Sequence, residues 1–165
     1  MNRRLFLDAI PAALATGCGF QLRRMDGVPF ASLYVDAPHG GAVAQRIRSA
    51  LISNKHTRLA ASAAEAEAVL VLGQEARSKT ILSLSGAGRV TEYRLGLRLA
   101  YSVSRKDGHS LAAAETIELI RDMTYDDAQL LAKSAEEQLL YRDMEDGAAL
   151  RIMRRLQNIP PGNGS

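Results

Sequence analysis

One cysteine in 165 residues leaves no partner for an internal disulfide. A domain built this way in an oxidising compartment must be held by packing or by a partner. The three histidines, His39, His56 and His109, fall in expected loops and turns, and their spacing does not bring them together as metal ligands. G-x-S-x-G, H-E-x-x-H, C-x-x-C and P-loop patterns are all missing, so the chain nominates no catalyst and implies no cofactor or metal. Tryptophan is absent and aromatics make up 5%, which leaves the core to alanine, leucine and isoleucine. The net charge is only +3, a poor match to a nucleic-acid partner. Lysine is also scarce: Lys55, Lys79, Lys106 and Lys133 are the only ones among 21 basic residues. The arginine excess fits a GC-rich coding sequence, although guanidinium forks also suit phosphate and carboxylate.

The lone cysteine sits in an informative place. "MNRRLFLDAIPAALATGCGFQLR" opens with Arg3 and Arg4, continues through an apolar run and ends in small residues before Cys18. The run from Leu5 to Gly17 is too short for a bilayer span, which needs about 20 residues. These are the parts of an export signal. Ala15-Thr16-Gly17-Cys18 resembles a lipobox, in which diacylglycerol is attached to the thiol and the signal is cut just before it. The usual leucine three places before the cysteine is replaced by Ala15, and Asp8 interrupts the apolar stretch. "NRRLFLD" also resembles a twin-arginine signal, so both export routes stay open. The other readings are a buried free cysteine, or a nucleophile. The latter lacks a base, because the nearest histidine is His39.

Lipidation at Cys18 gives residues 1–17 as a signal peptide and 18–29 as the lipidated N-terminus and linker. Each buried CH2 contributes about 0.8 kcal/mol, and two chains make an anchor stable. Gly19 in place of aspartate favours, by analogy with lipoprotein sorting, the outer membrane. Two of the 21 basic and one of the 18 acidic residues lie in the signal, so the mature charge falls from +3 to +2.

Beyond the linker the pattern is that of one domain, residues 30–159, with a flexible tail at 160–165. "PFASLYVDAP" reads as a short strand closed by Pro38 and Gly40-Gly41. Val43, Ile47, Ala50 and Leu51 form one face of a helix from Ala42 to Asn54. Ala60–Ala68 is alanine-rich and ambiguous. "AVLVLGQEA" is an apolar β-type run that either continues through "KTILSLSG" as one long strand or breaks near Arg77-Ser78. "RVTEYRLGLRLAYSVS" is the clearest strand: Tyr93, Leu95, Leu97, Leu99, Tyr101 and Val103 alternate with polar or small residues. Asp107-Gly108 signals a hairpin. "AAAETIELIRDMTY" is preferred as a strand with Ile117, Leu119 and Met123 on one face, against a helical alternative.

Asp126-Asp127 marks a helix start. The helix is expected to run to about Gln157, with Tyr141, Met144, Ala148 and Ile152 as its apolar stripe and Pro160-Pro161 as its stop. Gly147 within it either permits close packing or is incidental. Glu136-Glu137 and Asp143-Glu145-Asp146 read as a charged solvent face. The order β-α-β-β-β-α predicts an α+β two-layer sandwich, two helices on a four-stranded, mostly antiparallel sheet.

Three stretches together carry a resemblance: "CGFQLR" after the signal, "TEYRLGLRLAYSV", and "YDDAQLLAKSAEEQLLYRDMEDGAALRIMRRL". Their order and spacing resemble the LPS-assembly lipoprotein family LptE, over nearly the whole mature chain. The resemblance implies two helices on a four-stranded sheet and a non-enzymatic subunit. It implies an outer-membrane protein, lipid-anchored on the periplasmic side, that plugs and helps assemble the LptD β-barrel. It also implies a part in delivering lipopolysaccharide to the outer leaflet, with basic residues contacting that lipid. One matches Lys133 in "LAKSAEE". The other lies in the turn before "TEY", where Arg89 is the nearest basic residue without being an aligned match. A second reading is an outer-membrane lipoprotein adaptor for a different periplasmic partner, such as a cell-wall synthase. A third, a periplasmic hydrolase, lacks any nominated catalyst.

Overall fold

The structure is a computed structural model in which residues 28–54 and 56–160 are described. The signal at 1–17, Cys18, the linker to residue 27 and the tail beyond Pro160 lie outside the described residues.

The long alternating run forms the spine. β5 (Val90–Arg105) spans 16 residues, about 50 Å at a strand's rise. β6 (Ser110–Thr124) follows the Asp107-Gly108 turn and pairs with β5 along most of its length. The other edge of β5 is shared by two shorter strands. β4 (Ala76–Leu84) pairs antiparallel with its first half and β3 (Ala68–Leu72) with its last five residues. The apolar run therefore breaks, at Gly73–Glu75 rather than at Arg77-Ser78. The ladder is carried into the break by Gly73, whose N–H donates to Ala100 O at 2.8 Å.

β1 (Ser32–Asp36) lies parallel to β3 and, on its other side, parallel to β2 (Arg58–Leu59). The sheet is thus mixed and six-stranded in the order β2-β1-β3-β5-β4, with β6 on the second edge of β5. The α+β class is as expected; the strand count of four is corrected to six. β2 was missed because two residues carry no alternation, and β4 separates from β3 because Glu75 turns away to another partner. The ambiguous alanine-rich stretch holds β2's exit and a single 3-10 turn, Ala63–Glu65.

α1 (Ala42–Ser53) buries Val43, Ala44, Ile47 and Leu51. α2 (Leu130–Gln157) buries Tyr141, Met144, Ala148, Ala149, Ile152 and Leu156. Its start comes later than the Asp126-Asp127 signal. The Asp126 side chain instead accepts Ala128 N–H at 3.0 Å and opens a 3-10 turn, Asp127–Gln129, ahead of the helix. Both helices pack on the face carrying Leu95, Leu97, Leu99, Ile117, Leu119 and Met123, and a single core cluster results. A Cβ at Gly147 would stand 3.7 Å from Leu119 Cδ1, an ordinary contact, so this glycine is incidental to packing.

The charged stretch on α2 differs from expectation. Asp143 and Asp146 are exposed, but Glu145 is 2% exposed and bridges elements. It pairs with Arg46 Nη1 of α1 at 3.0 Å and with Arg77 of β4. Glu145 stands four residues after Tyr141 and three before Ala148, on the apolar stripe rather than the solvent face.

Candidate functional site

The opposite sheet face is open. Cross-strand partners share a face, and the register puts Arg94, Gly96 and Arg98 of β5 with Asp122, Ile120 and Glu118 of β6 and with Thr80, Ser78 and Ala76 of β4. Arg94 clasps Asp122 with two bonds of 2.8 and 2.9 Å, which lowers the aspartate's pKa. Small residues, Ala76, Ser78 and Gly96, lie side by side in the middle of this surface. Any side chain at Gly96 would collide with Ser78 Oγ.

The cationic groups gather at one end of the sheet, where the β4–β5 turn meets the end of β6 and the start of α2. Tyr125 N–H donates to Thr91 O at 2.7 Å and ties β6 to the beginning of β5. Lys133, one turn into α2, reaches Thr124 Oγ1 at 3.1 Å and Glu136 Oε2 at 2.8 Å. Its side chain is only 13% exposed, so it is a mostly covered, paired ammonium rather than a free surface charge.

Arg89 lies in the turn after β4. Gly88 takes φ 77° there, and Ser85 Oγ accepts Arg89 N–H at 3.2 Å. Its guanidinium is exposed and, among the described residues, makes no ion pair. Thr124, which holds Lys133, is the register partner of Glu92, three residues after Arg89. The two sequence-predicted residues thus share an end of the sheet, and no hydrogen bond or ion pair joins them. Cys18 lies outside the described residues.

Sequence reasoning missed a third cation here. Lys79 of β4 binds Glu137 Oε2 at 2.6 Å and stands 4.3 Å from the ring centre of Tyr93 and 5.9 Å from that of Tyr125. The two phenol rings meet edge-to-face at 5.0 Å. Glu137 is the main cause that raises the Lys79 pKa, so the ammonium stays charged. Burial raises the Tyr125 pKa. Lys79 was legible only through register, since its partner Leu95 puts it on the helix side of the sheet. Beside this cluster Tyr141 donates its hydroxyl to Ser78 O at 2.8 Å, and Arg77 stacks 4.9 Å above the Tyr141 ring. Exposed apolar side chains flank it: Ile81 on β4 at 57%, and Leu130 and Leu131 at the start of α2 at 59% and 86%.

Among the described residues no cluster of histidine, cysteine, aspartate or glutamate could hold a metal ion, and no helix is long and apolar enough to cross a membrane. Ammonium, phenol and apolar groups thus gather around one exposed end of a two-layer α+β frame.

Comparison with known proteins gives the class a family. Residues 30–156 match the family described as LptE, lipopolysaccharide-assembly. The LPS-assembly lipoprotein LptE of Photorhabdus laumondii subsp. laumondii is 29% identical over 157 residues, 93% of this chain and 84% of that protein. The solution structure of a lipoprotein B from Nitrosomonas europaea superposes with a TM-score of 0.73 at 35% identity, covering 84% of this chain and 90% of that one. The crystal structure of the rare lipoprotein B from Shewanella oneidensis gives 0.65 at 28% identity, covering 76% and 92%. The chain belongs to the LptE family of lipopolysaccharide-assembly lipoproteins. The family is non-enzymatic and outer-membrane associated, and its role lies in lipopolysaccharide assembly.

Proposed function

We propose that this protein is tethered through Cys18 to the periplasmic side of the outer membrane, where it plugs and helps assemble the LptD β-barrel and takes part in passing lipopolysaccharide to the outer leaflet. The observation that carries the reading is the family match over residues 30–156. The open sheet face supports it. A surface of Arg94, Asp122, Arg98, Glu118 and small residues, with Ile120 as its one large apolar side chain among the register partners named, suits the mainly polar wall of a barrel lumen. A lipid anchor adds effective concentration, keeping the module beside its barrel without enlarging the interface.

In this reading Lys133 and Arg89 contact lipopolysaccharide, an anionic phosphorylated lipid. The tether is tested by exchanging Cys18 for serine and fractionating the cell. The protein is expected to leave the outer membrane and to lose co-purification with LptD. Full-length protein that never co-purifies with LptD sinks the plug, and co-purification with a cell-wall synthase in its place would favour the adaptor. Depletion is expected to lower surface lipopolysaccharide. Lys133→Glu is expected to weaken lipopolysaccharide binding, more visibly at low salt. Unchanged binding removes Lys133 from the contact set.

A further inference from the structure

We propose that β4 is a releasable edge strand. It opens from β5 as a unit while the rest of the domain stays folded, and its docking assembles the cluster around Lys79. The device does not depend on what the domain binds.

Apolar burial barely holds this strand. Among the strands of five or more residues, β4 alone buries no residue. Ile81, Leu82 and Leu84 remain exposed even with the strand in place. Docking β4 therefore removes little apolar surface from water, and the hydrophobic contribution that secures β3 and β6 is small here. Its ladder has one neighbour, β5, and the register shifts between Ile81 and Leu84. A strand with few buried apolar contacts and solvent-exposed hydrogen bonds is the kind of unit that opens locally.

The clasps between β4 and the helix layer are polar. Arg77 and Lys79, register partners of Leu97 and Leu95, occupy the helix-facing positions. Arg77 pairs with Glu145 and stacks on Tyr141. Tyr141 donates its hydroxyl to Ser78 O at 2.8 Å, and Lys79 pairs with Glu137 at 2.6 Å. These links can be undone without stranding a buried charge. Glu145 keeps Arg46 at 3.0 Å, and Glu137, Lys79 and Arg77 are all open enough to meet water. Opening also takes Lys79 away from the rings of Tyr93 and Tyr125. That end of the sheet thus has two states, with the ammonium over the phenols and without it.

Hydrogen exchange of the full-length protein in detergent, read residue by residue by NMR, tests the device. Only N–H groups that pair β4 with β5 count, because those on the outer edge of β4 meet water in the closed form as well. They are expected to exchange roughly tenfold faster, or more, than the N–H groups that pair β3 or β6 with β5. Raising the salt to about 1 M is expected to quicken them roughly two- to fivefold and to leave the β6 pairs unchanged. Tyr141→Phe is expected to quicken them roughly fivefold and Glu137→Gln roughly twofold, again at β4 alone. Glu118→Gln makes the same charge change on the open sheet face and is expected to do nothing.

β4 pairs that exchange at the rate of the β6 pairs open only when the whole domain unfolds, and that result overturns the proposal. Clasp variants that quicken every strand alike report a loss of global stability and overturn it too. So does β4 exchange that neither salt nor either variant changes.

Discussion

Glu75 caps a helix to which it is not adjacent in sequence. Its carboxylate accepts the N–H of Val43 at 2.8 Å and of Ala42 at 3.2 Å, the first two residues of α1. The residue in the capping position itself, Gly41, has no side chain to offer. The strand break at Gly73–Glu75 thus has a use: it frees Glu75 to satisfy donors at the positive end of the helix.

Losing that cap is expected to cost stability without altering the sheet. Glu75→Ala should lower unfolding free energy by about 1 kcal/mol, in the range for lost N-caps. Gly41→Ala should do worse. Gly41 has φ 122°, a conformation L residues rarely adopt, and a Cβ there would run into the Glu75 carboxylate. Urea unfolding of both variants checks this, and a Glu75→Ala protein as stable as its parent would discard the cap.

A second carboxylate acts between elements. Glu145 is buried while Arg46 and Arg77, its partners, keep 26% and 52% side-chain exposure. The asymmetry predicts the outcome of mutation. Glu145→Gln leaves two guanidiniums that turn to water and is expected to cost about 1–2 kcal/mol. The double variant Arg46→Met with Arg77→Met strands a buried negative charge and is expected to cost about 3–5 kcal/mol. The opposite ordering in denaturant titrations would mean that α1, α2 and β4 are held together here by packing alone.

What could be read in advance follows from how far apart the determining residues lie. β5 was legible because alternation from Tyr93 to Val103 is written in consecutive residues, and α2's stripe because Tyr141, Met144, Ala148 and Ile152 recur at helical spacing. β2 has no such signal, since only the parallel partners Ser32 and Leu33 make Arg58 and Leu59 a strand. Glu145 had one that was overlooked: its position within the stripe outweighs its charge. At the binding end, Lys133 was reached by resemblance, whereas Lys79 needed the β4–β5 register that brings it to Tyr93 and Tyr125. Composition alone could not supply that register.

Gly147 offers a stabilising change. A glycine within a 28-residue helix carries excess freedom in the unfolded chain, and its missing Cβ would meet only Leu119 at ordinary contact distance. Gly147→Ala is expected to stabilise the protein by up to about 1 kcal/mol. Calorimetry should show a raised Tm. A lowered one would mean that α2 sits tighter on β6 than the 3.7 Å contact implies.

Tyr101 makes the alkaline limb of stability a test of the core. Burial, then a 2.7 Å hydrogen bond to Glu115, pushes its phenol up to about 12 from the ordinary 10. Below pH 10 the phenol is neutral in both the folded and the unfolded chain, and stability does not depend on it. Between pH 10 and 12 the unfolded chain ionises while the folded one stays protonated, so the unfolded state gains and stability falls with rising pH. Over that window the loss attributable to Tyr101 is about 2 kcal/mol. Tyr101→Phe lowers the stability at neutral pH by its lost hydrogen bond but should flatten the slope from pH 10 to 12. Lysine deprotonation, common to both proteins, cancels in the comparison. Parallel alkaline slopes would mean that water reaches the phenol and that the β3–β5 end of the core opens before the protein unfolds.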